Sequence, residues 1–288
     1  MAVARSTKLP VYQALGTLLT QATRPASHPS DKAVHGMRRD MKRIRAALRL
    51  LRTCVGEDSY QHSNARVRDA AKPLAPVRDA AVLLSCARRL SLHQYSDAEQ
   101  GYLNELIPEL EVERRSAKRR LTVAALNRRA AVLSDVQRSL ASGQTPSCDL
   151  EAVSDGIRKT YKAGRKAGRL ARRRPDDDRL HEWRKQVKCL ANQLDLMQEA
   201  FHIERGKLHR HALQLGDLLG KDRDLALFTA KMDAIHLAKG ASGQEKGHKR
   251  LIRRLQQARN HLQQKAWRRS KKVFSRSPRR FVQYLVRP

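Results

Sequence analysis

The sequence predicts an all-α protein made of two similar helical halves, and three observations carry that prediction. Ala, Leu, Arg, Lys, Glu and Gln dominate, while aromatic residues make up only 4% of the chain. Alternating β-branched runs of the kind that half-buried strands need are absent. One pattern of charged and apolar residues occurs twice, which is the signature of an internal repeat. With 40% hydrophobic residues over a length of 288, the chain can bury a sizeable core, so a wholly disordered basic tail is excluded.

The elements follow in order. Residues 1–27 read as an N-terminal extension: the opening thirty positions are basic and acid-free up to Ser30. They lack the apolar core of a secretory signal, and an organelle transit peptide stays open on composition alone. Breakers at 25–30 and 56–59 bound a helix over about 31–54. A second runs from about 61 to 93, with Pro73 and Pro76 predicting a kink or break inside it. Asp97, followed by Gln100, reads as the cap of a third segment reaching about 142, interrupted at Pro108. The Ser/Gly/Pro stretch 141–147 sits at the midpoint and reads as the linker between repeats of about 28–144 and 145–288. The second repeat carries helices over about 149–173, 177–202, 206–238 and 245–272. Asp178 is expected to cap the second of these, and Gly240 and Gly243 separate the last two.

Sixty Lys and Arg face 28 Asp and Glu, giving a formal net charge of +32. A field of that size attracts and concentrates large anions, so a polyanion is the first partner to consider. No apolar stretch approaches the roughly 20 residues needed to cross a bilayer, which argues against an integral membrane protein. Cys54, Cys86, Cys148 and Cys189 form no CxxC pair; they fit a reducing, cytoplasmic setting without a zinc site or disulfide framework.

The repeat is explicit. His35, Arg38 and Lys42 stand at offsets 0, 3 and 7, and so do His181, Arg184 and Lys188. On a helix these offsets fall within a sector of about 60°, so each triplet forms one ridge. The apolar positions coincide as well: Met37, Met41, Ile44, Leu48 and Leu51 match Trp183, Val187, Leu190, Leu194 and Met197, on roughly the opposite side. Arg45 and Arg49 prolong the first ridge, whereas Asn192 and Asp195 weaken the second. Arg78-Asp79 follows His35 by 43 and 44 residues, and Arg223-Asp224 follows His181 by 42 and 43. Apolar residues follow both pairs, so the pairs read as structural, an Asp holding an Arg or a helix end. Two such copies packed about a pseudo-two-fold axis bring their ridges to a shared groove.

Three further stretches stand out. Arg158 to Arg174 contains nine basic residues and no acid; Lys162, Arg165, Arg169 and Arg172 form a ridge there, with Gly164 and Gly168 allowing close approach of a helix or a polymer. Asp97 to Glu113 contains six acids and no Lys or Arg, suiting solvation, masking of basic surface or docking of a basic tail. Arg268 to Arg280 is basic, with Trp267, Phe274 and Phe281 in and beside it, and reads as an extension of an anion channel, a granule contact, or a helix with a tail.

The ordered double pattern, His-x-x-Arg-x-x-x-Lys followed some forty residues later by Arg-Asp, resembles the CHAD family, the conserved histidine α-helical domain. The similarity covers nearly all of the chain from about residue 28. The resemblance implies two four-helix, bundle-like halves around a basic pore or groove, with inorganic polyphosphate as ligand and neither cofactor nor metal. On this sequence it points to His35, Arg38, Arg39, Lys42, Arg45 and Arg49 in the first half and to His181, Arg184, Lys185 and Lys188 in the second. It adds Lys118, Tyr161, Lys162, Arg165 and Arg169 on other helices. Gly36 and the run Lys188-Cys189-Leu190-Ala191 depart from the family pattern, so weaker contact is expected from the second half. No triphosphate-tunnel domain fits the residues before the first motif, and the chain looks like the stand-alone form.

Polyphosphate has no base edges to read, so its receptor needs many donors repeated along a channel. Arg supplies a planar fork and Lys a less directional point charge. The expected function is non-catalytic polyphosphate binding, with retention of the polymer at cytoplasmic granules. Sequence-independent nucleic-acid binding is the alternative, because phosphate contacts alone can supply affinity. A polyphosphate-processing enzyme is a third reading, although no Walker A loop, HExxH motif or nucleophile elbow is present. Monomer and dimer are both compatible with the sequence.

Overall fold

Helix follows helix throughout the computed structural model, which describes residues 10–24, 29–93, 95–142, 150–202, 206–239 and 244–286; none of these forms a strand. The first half of the chain supplies α1 (Pro10–Ala22), α2 (Asp31–Leu50), the short α3 (Arg52–Val55), α4 (Glu57–Ala70), α5 (Ala75–Ser91), α6 (Asp97–Arg120) and α7 (Val123–Ser142). The other half supplies α8 (Leu150–Arg173), α9 (Asp177–Phe201), α10 (Gly206–Lys239), α11 (Glu245–Val273) and α12 (Pro278–Val286).

The expected 61–93 helix divides at a 3-10 turn, Lys72–Leu74, with Pro73 inside it and Pro76 within the first turn of α5. Proline is tolerated at both places because the first turn has no intrahelical use for its missing N–H. The 97–142 segment divides instead at Leu121 and Thr122, while α6 runs straight through Pro108. Two caps fall earlier than the sequence suggests. Ser96 rather than Asp97 begins α6, its N–H donating to Glu99 Oε2 at 3.0 Å. Asp176 rather than Asp178 begins α9, its Oδ1 accepting from the Arg179 N–H at 2.8 Å. In each case the residue chosen has an extended backbone and a side chain that reaches the third position onward. The inter-repeat stretch expected over 141–147 lies outside the described residues from 143 on.

Residues 10–22 correct the expectation of a mere extension. Val11, Leu15, Leu18, Leu19 and Ala22 are buried, and Arg129, itself 3% exposed, donates from Nη1 to Ala22 O at 2.7 Å. The burying of these five apolar side chains, rather than propensity, holds α1 in place.

Neither main core belongs to one chain half. The larger cluster joins α1, α2, α4 and α7 to α8, α9, α12 and the near ends of α10 and α11; the second joins α5 and α6 to the middle of α10 and the start of α11. Across the first of these boundaries α9 rests on α2, where the buried Gln193 Nε2 donates to Ala46 O at 3.1 Å and Arg43 meets Asp195 and Glu199. The stretch of α10 between the two apolar clusters is polar. Asp222, 2% exposed, accepts from Arg259 Nε at 3.2 Å and from Gln263 Nε2 at 3.0 Å, and Arg259 also pairs with Asp177.

Cys54 is disulfide-bonded, correcting the expectation of free thiols throughout; Cys86 and Cys189 are free. No helix is long and apolar enough to cross a membrane, among the residues described.

Candidate functional site

The repeated ridges lie on α2 and α9, and the reason is the pairing of stripes seen in the sequence. Met41, Ile44, Leu48 and Leu51 on one helix and Trp183, Val187, Leu190, Leu194 and Met197 on the other are all buried. Burying those stripes leaves His35, Arg38 and Lys42, and His181, Arg184 and Lys188, on the helix faces that the apolar core does not claim.

Charges from several helices converge there. Lys42 is open to solvent yet walled by protein, and its pKa is pushed down from 10.5 to about 8, first by burial and then by Arg184, Arg38, Arg78 and Lys188. All four neighbours are cations, two of them contributed by the other repeat. Burial also lowers Arg184; Asp224 opposes the shift while Arg223, Arg78 and Arg38 add to it. Burial lowers Arg38, with Asp79 opposing and Arg78 adding. Asp224 is pushed up by burial, against the pull of Arg78, Arg184 and Arg89 and with help from Asp79. The acids are therefore charge partners of the arginines beside them and do not cancel the positive excess.

The histidines occupy matching surroundings. His35 is lowered by burial and then by Arg78, Lys42, Arg39 and Arg38; His181 by burial and then by Arg223, Lys185 and Arg184, with Glu182 opposing. Both shifts favour the neutral ring in the free protein. His181 Nδ1 and Arg184 Nε are buried without a hydrogen-bond partner.

The outer members of the ridges turn to protein partners. Arg45 Nε donates to Asn64 Oδ1 on α4 at 2.9 Å, and Arg49 Nη1 donates across to Gln186 Oε1 on α9 at 2.9 Å. Arg39 lies 3.6 Å from Asp40, and Lys185 lies 2.6 Å from Glu182. Lys188 Nζ meets Asp217 Oδ1 of α10 at 2.7 Å. Lys118 sits beyond the N-terminal end of the first ridge, 3.1 Å from Asp31, whose carboxyl is raised by burial but held low overall by Arg114 and Lys118.

On α8 the picture differs from the sequence expectation. Tyr161 is fully buried: its ring stacks on Phe281 at 3.9 Å, and its hydroxyl donates to Arg276 O at 3.0 Å and accepts from the Arg276 N–H at 3.2 Å. It pins the chain before α12 and presents no ring to a ligand. A tyrosine at an amphipathic boundary reads the same in sequence whether it faces a core or a ligand. Lys162, Arg165 and Arg169 remain at least partly exposed, but none is among the charges acting on Lys42, Arg184 or either histidine. A Cβ at Gly164 would come 2.8 Å from the Phe274 ring, and one at Gly168 2.9 Å from Trp183 Nε1, so these glycines serve helix packing.

Arg78 is the residue that sequence reasoning passed over. It acts on His35, Arg38, Lys42, Arg184 and Asp224, which puts it at the middle of the cluster. Its signal in the sequence is the repeated Arg-Asp pair, whose apolar neighbours favour a structural reading.

The family model of the CHAD domain matches residues 13–233 of this chain. Among solved structures the chain is similar to "PptA from Streptomyces chartreusis", at a TM-score of 0.63 and 17% identity, over 90% of this chain and 97% of that one. It is also similar to the crystal structure of the CHAD domain from the plant Ricinus communis, at a TM-score of 0.53 and 17% identity, over 99% of this chain and 94% of that one. No curated protein matches the chain.

Proposed function

The chain belongs to the CHAD domain family, a family associated with polyphosphate, and from that membership together with the converging cations of α2, α5 and α9 we propose that it binds inorganic polyphosphate without transforming it. The observation that carries the reading is Lys42, whose four acting charges are all positive. Folding holds these groups together against their mutual repulsion. A bound polyanion converts that repulsion into attraction, and so binds a site already arranged for it.

The matched surroundings support two repeats related by a pseudo-two-fold axis, with the polymer held between them. His35 lies beside Arg78 as His181 lies beside Arg223, and Arg38 is acted on by Asp79 as Arg184 is by Asp224. Arginines with fixed neighbours set the register of successive phosphates, and the lysines supply charge with less directionality. In the cell this amounts to retention of the polymer at polyphosphate-containing granules.

The aromatic residues favour polyphosphate over nucleic acid. Trp183 is fully buried and stacks on Trp267 at 4.5 Å, and Phe274 and Phe281 pack on Tyr161, so these rings stack on one another rather than offering a platform for bases. The test is competition at near-physiological salt, with labelled polyphosphate challenged by duplex DNA and single-stranded RNA at matched phosphate concentration. Retention of polyphosphate is expected. Displacement by DNA and RNA as complete as by unlabelled polyphosphate would leave a general polyanion binder.

A further inference from the structure

Between α10 and α11, outside the Lys42 cluster, lies an open cavity of about 670 Å³. Its walls hold five cations, Lys221, Lys265, Arg268, Arg269 and Lys272, and one acid, Asp217. The four on α11 fall on one face at helical spacing, and Asp217 and Lys221 lie one turn apart on α10.

Some basic side chains elsewhere are paired with acids: Arg66 meets Asp135, Lys231 meets Glu113 and Arg43 meets two acids. Here Lys221, Lys265, Arg268 and Lys272 have no ion-pair partner among the described residues. Arg269 donates from Nη1 to His211 Nδ1 at 2.9 Å, a bond that requires the ring nitrogen to be an unprotonated acceptor and leaves the guanidinium charge uncompensated. The single acid is already engaged, because Asp217 pairs with Lys188 at 2.7 Å.

That ion pair also joins the cavity to the α9 ridge. Lys188 is the last member of the ridge, and its stem lies against α10 over Gly216, where a Cβ would come within 3.0 Å of Cδ and Cε. From Asp217 to Lys221 is one further helical turn, a rise of roughly 6 Å.

We propose that the α10–α11 cavity is a second polyphosphate-binding segment, continuous with the Lys42 cluster through Lys188, which takes up the chain where it leaves that cluster. The inference rests on the polyphosphate reading and deepens it. A single phosphate can occupy only part of a five-cation wall, whereas a polymer with regularly repeated charges can engage all of it. The cavity therefore makes long chains bind more tightly than short ones.

The test compares two full-length variants with the wild type, Lys221→Gln/Lys265→Gln/Lys272→Gln in the cavity and Lys42→Gln/Arg184→Gln in the cluster. Affinity for long-chain polyphosphate and for tripolyphosphate is measured across a salt series. The three cavity lysines are exposed, and helicity and the unfolding midpoint verify the fold of each variant. At about 0.7 per phosphate contact, as for single-stranded nucleic acid, the cavity variant should lose about 2 from the slope of log affinity against log salt. Its long-chain affinity should fall while tripolyphosphate binding is retained. Wild-type affinity and slope in the cavity variant, alongside loss in the cluster variant, would overturn the second segment and leave the cluster standing. Loss in the cavity variant with none in the cluster variant would overturn the continuity and move the polymer off α2 and α9. No loss in either would remove both.

Discussion

Arg184 on α9 is the strongest charged neighbour of Lys42 on α2, and it is a like charge from the other repeat. Two like charges held near one another cost stability in the free protein, and a bound anion offsets that cost. The relationship gives the binding reading its pH dependence. Polyphosphate favours protonated Lys42 and raises its pKa above the free value of about 8. Affinity is therefore full below pH 8 and falls as pH rises through the two values. Lys42→Arg should flatten that alkaline limb in a titration of affinity between pH 7 and 10. The histidines start below their usual value, which favours the neutral ring in the free protein. If either ring touches the polymer, affinity also climbs as pH falls from 8 to 5.5, and a flat profile there would remove both rings from contact.

Asp217 competes with the ligand for Lys188. The pair is partly exposed, so its net worth is small, at about 0.5 kcal/mol. Asp217→Asn should raise polyphosphate affinity by roughly two- to threefold, consistent with losing a pair of that size. Isothermal titration of the variant against the wild type reads this directly; a weaker-binding variant would mean that Asp217 positions Lys188 rather than competing for it.

Tyr161→Phe separates core from ligand. It removes the hydroxyl that bridges the Arg276 backbone and should cost about 1 kcal/mol in chemical denaturation. Polyphosphate affinity should stay at the wild-type value.

Asp222→Ala leaves the buried Arg259 with only its Asp177 partner. Loss of one member of a buried charged set should destabilise the fold by about 3 kcal/mol. Asp222→Asn, which keeps the acceptor oxygen, should recover part of that loss.

Much of this was legible in the sequence because it was written twice. The apolar stripes of α2 and α9 agree position by position, so the burial of Trp183 where Met37 is only partly buried changes side-chain size without changing the face. The ridges follow from the same periodicity. What was not legible is what depends on which helices meet. Arg78 acquires its place in the cluster because α5 approaches both α2 and α10, and spacing along a chain carries no such information. Tyr161 and α12 are explained only by each other. Residues 10–22 lack strong charge patterning, and their apolar face becomes meaningful once α7 and α9 are there to cover it. The basic run at 268–280, which reads equally as channel, granule contact or helix with a tail, divides in the structure between the cavity face of α11 and the start of α12.

The central claim is tested most directly by the polyphosphate affinity of a folded protein carrying Arg38→Gln, Lys42→Gln, Arg184→Gln and Lys188→Gln, measured at near-physiological salt. Removing mutually repelling charges should preserve helicity and leave the unfolding midpoint largely intact. At about 1 kcal/mol per charged contact the four losses amount to about 4 kcal/mol, so affinity should drop roughly a thousandfold. Wild-type affinity in that folded variant would contradict the account and place the polymer elsewhere on the molecule.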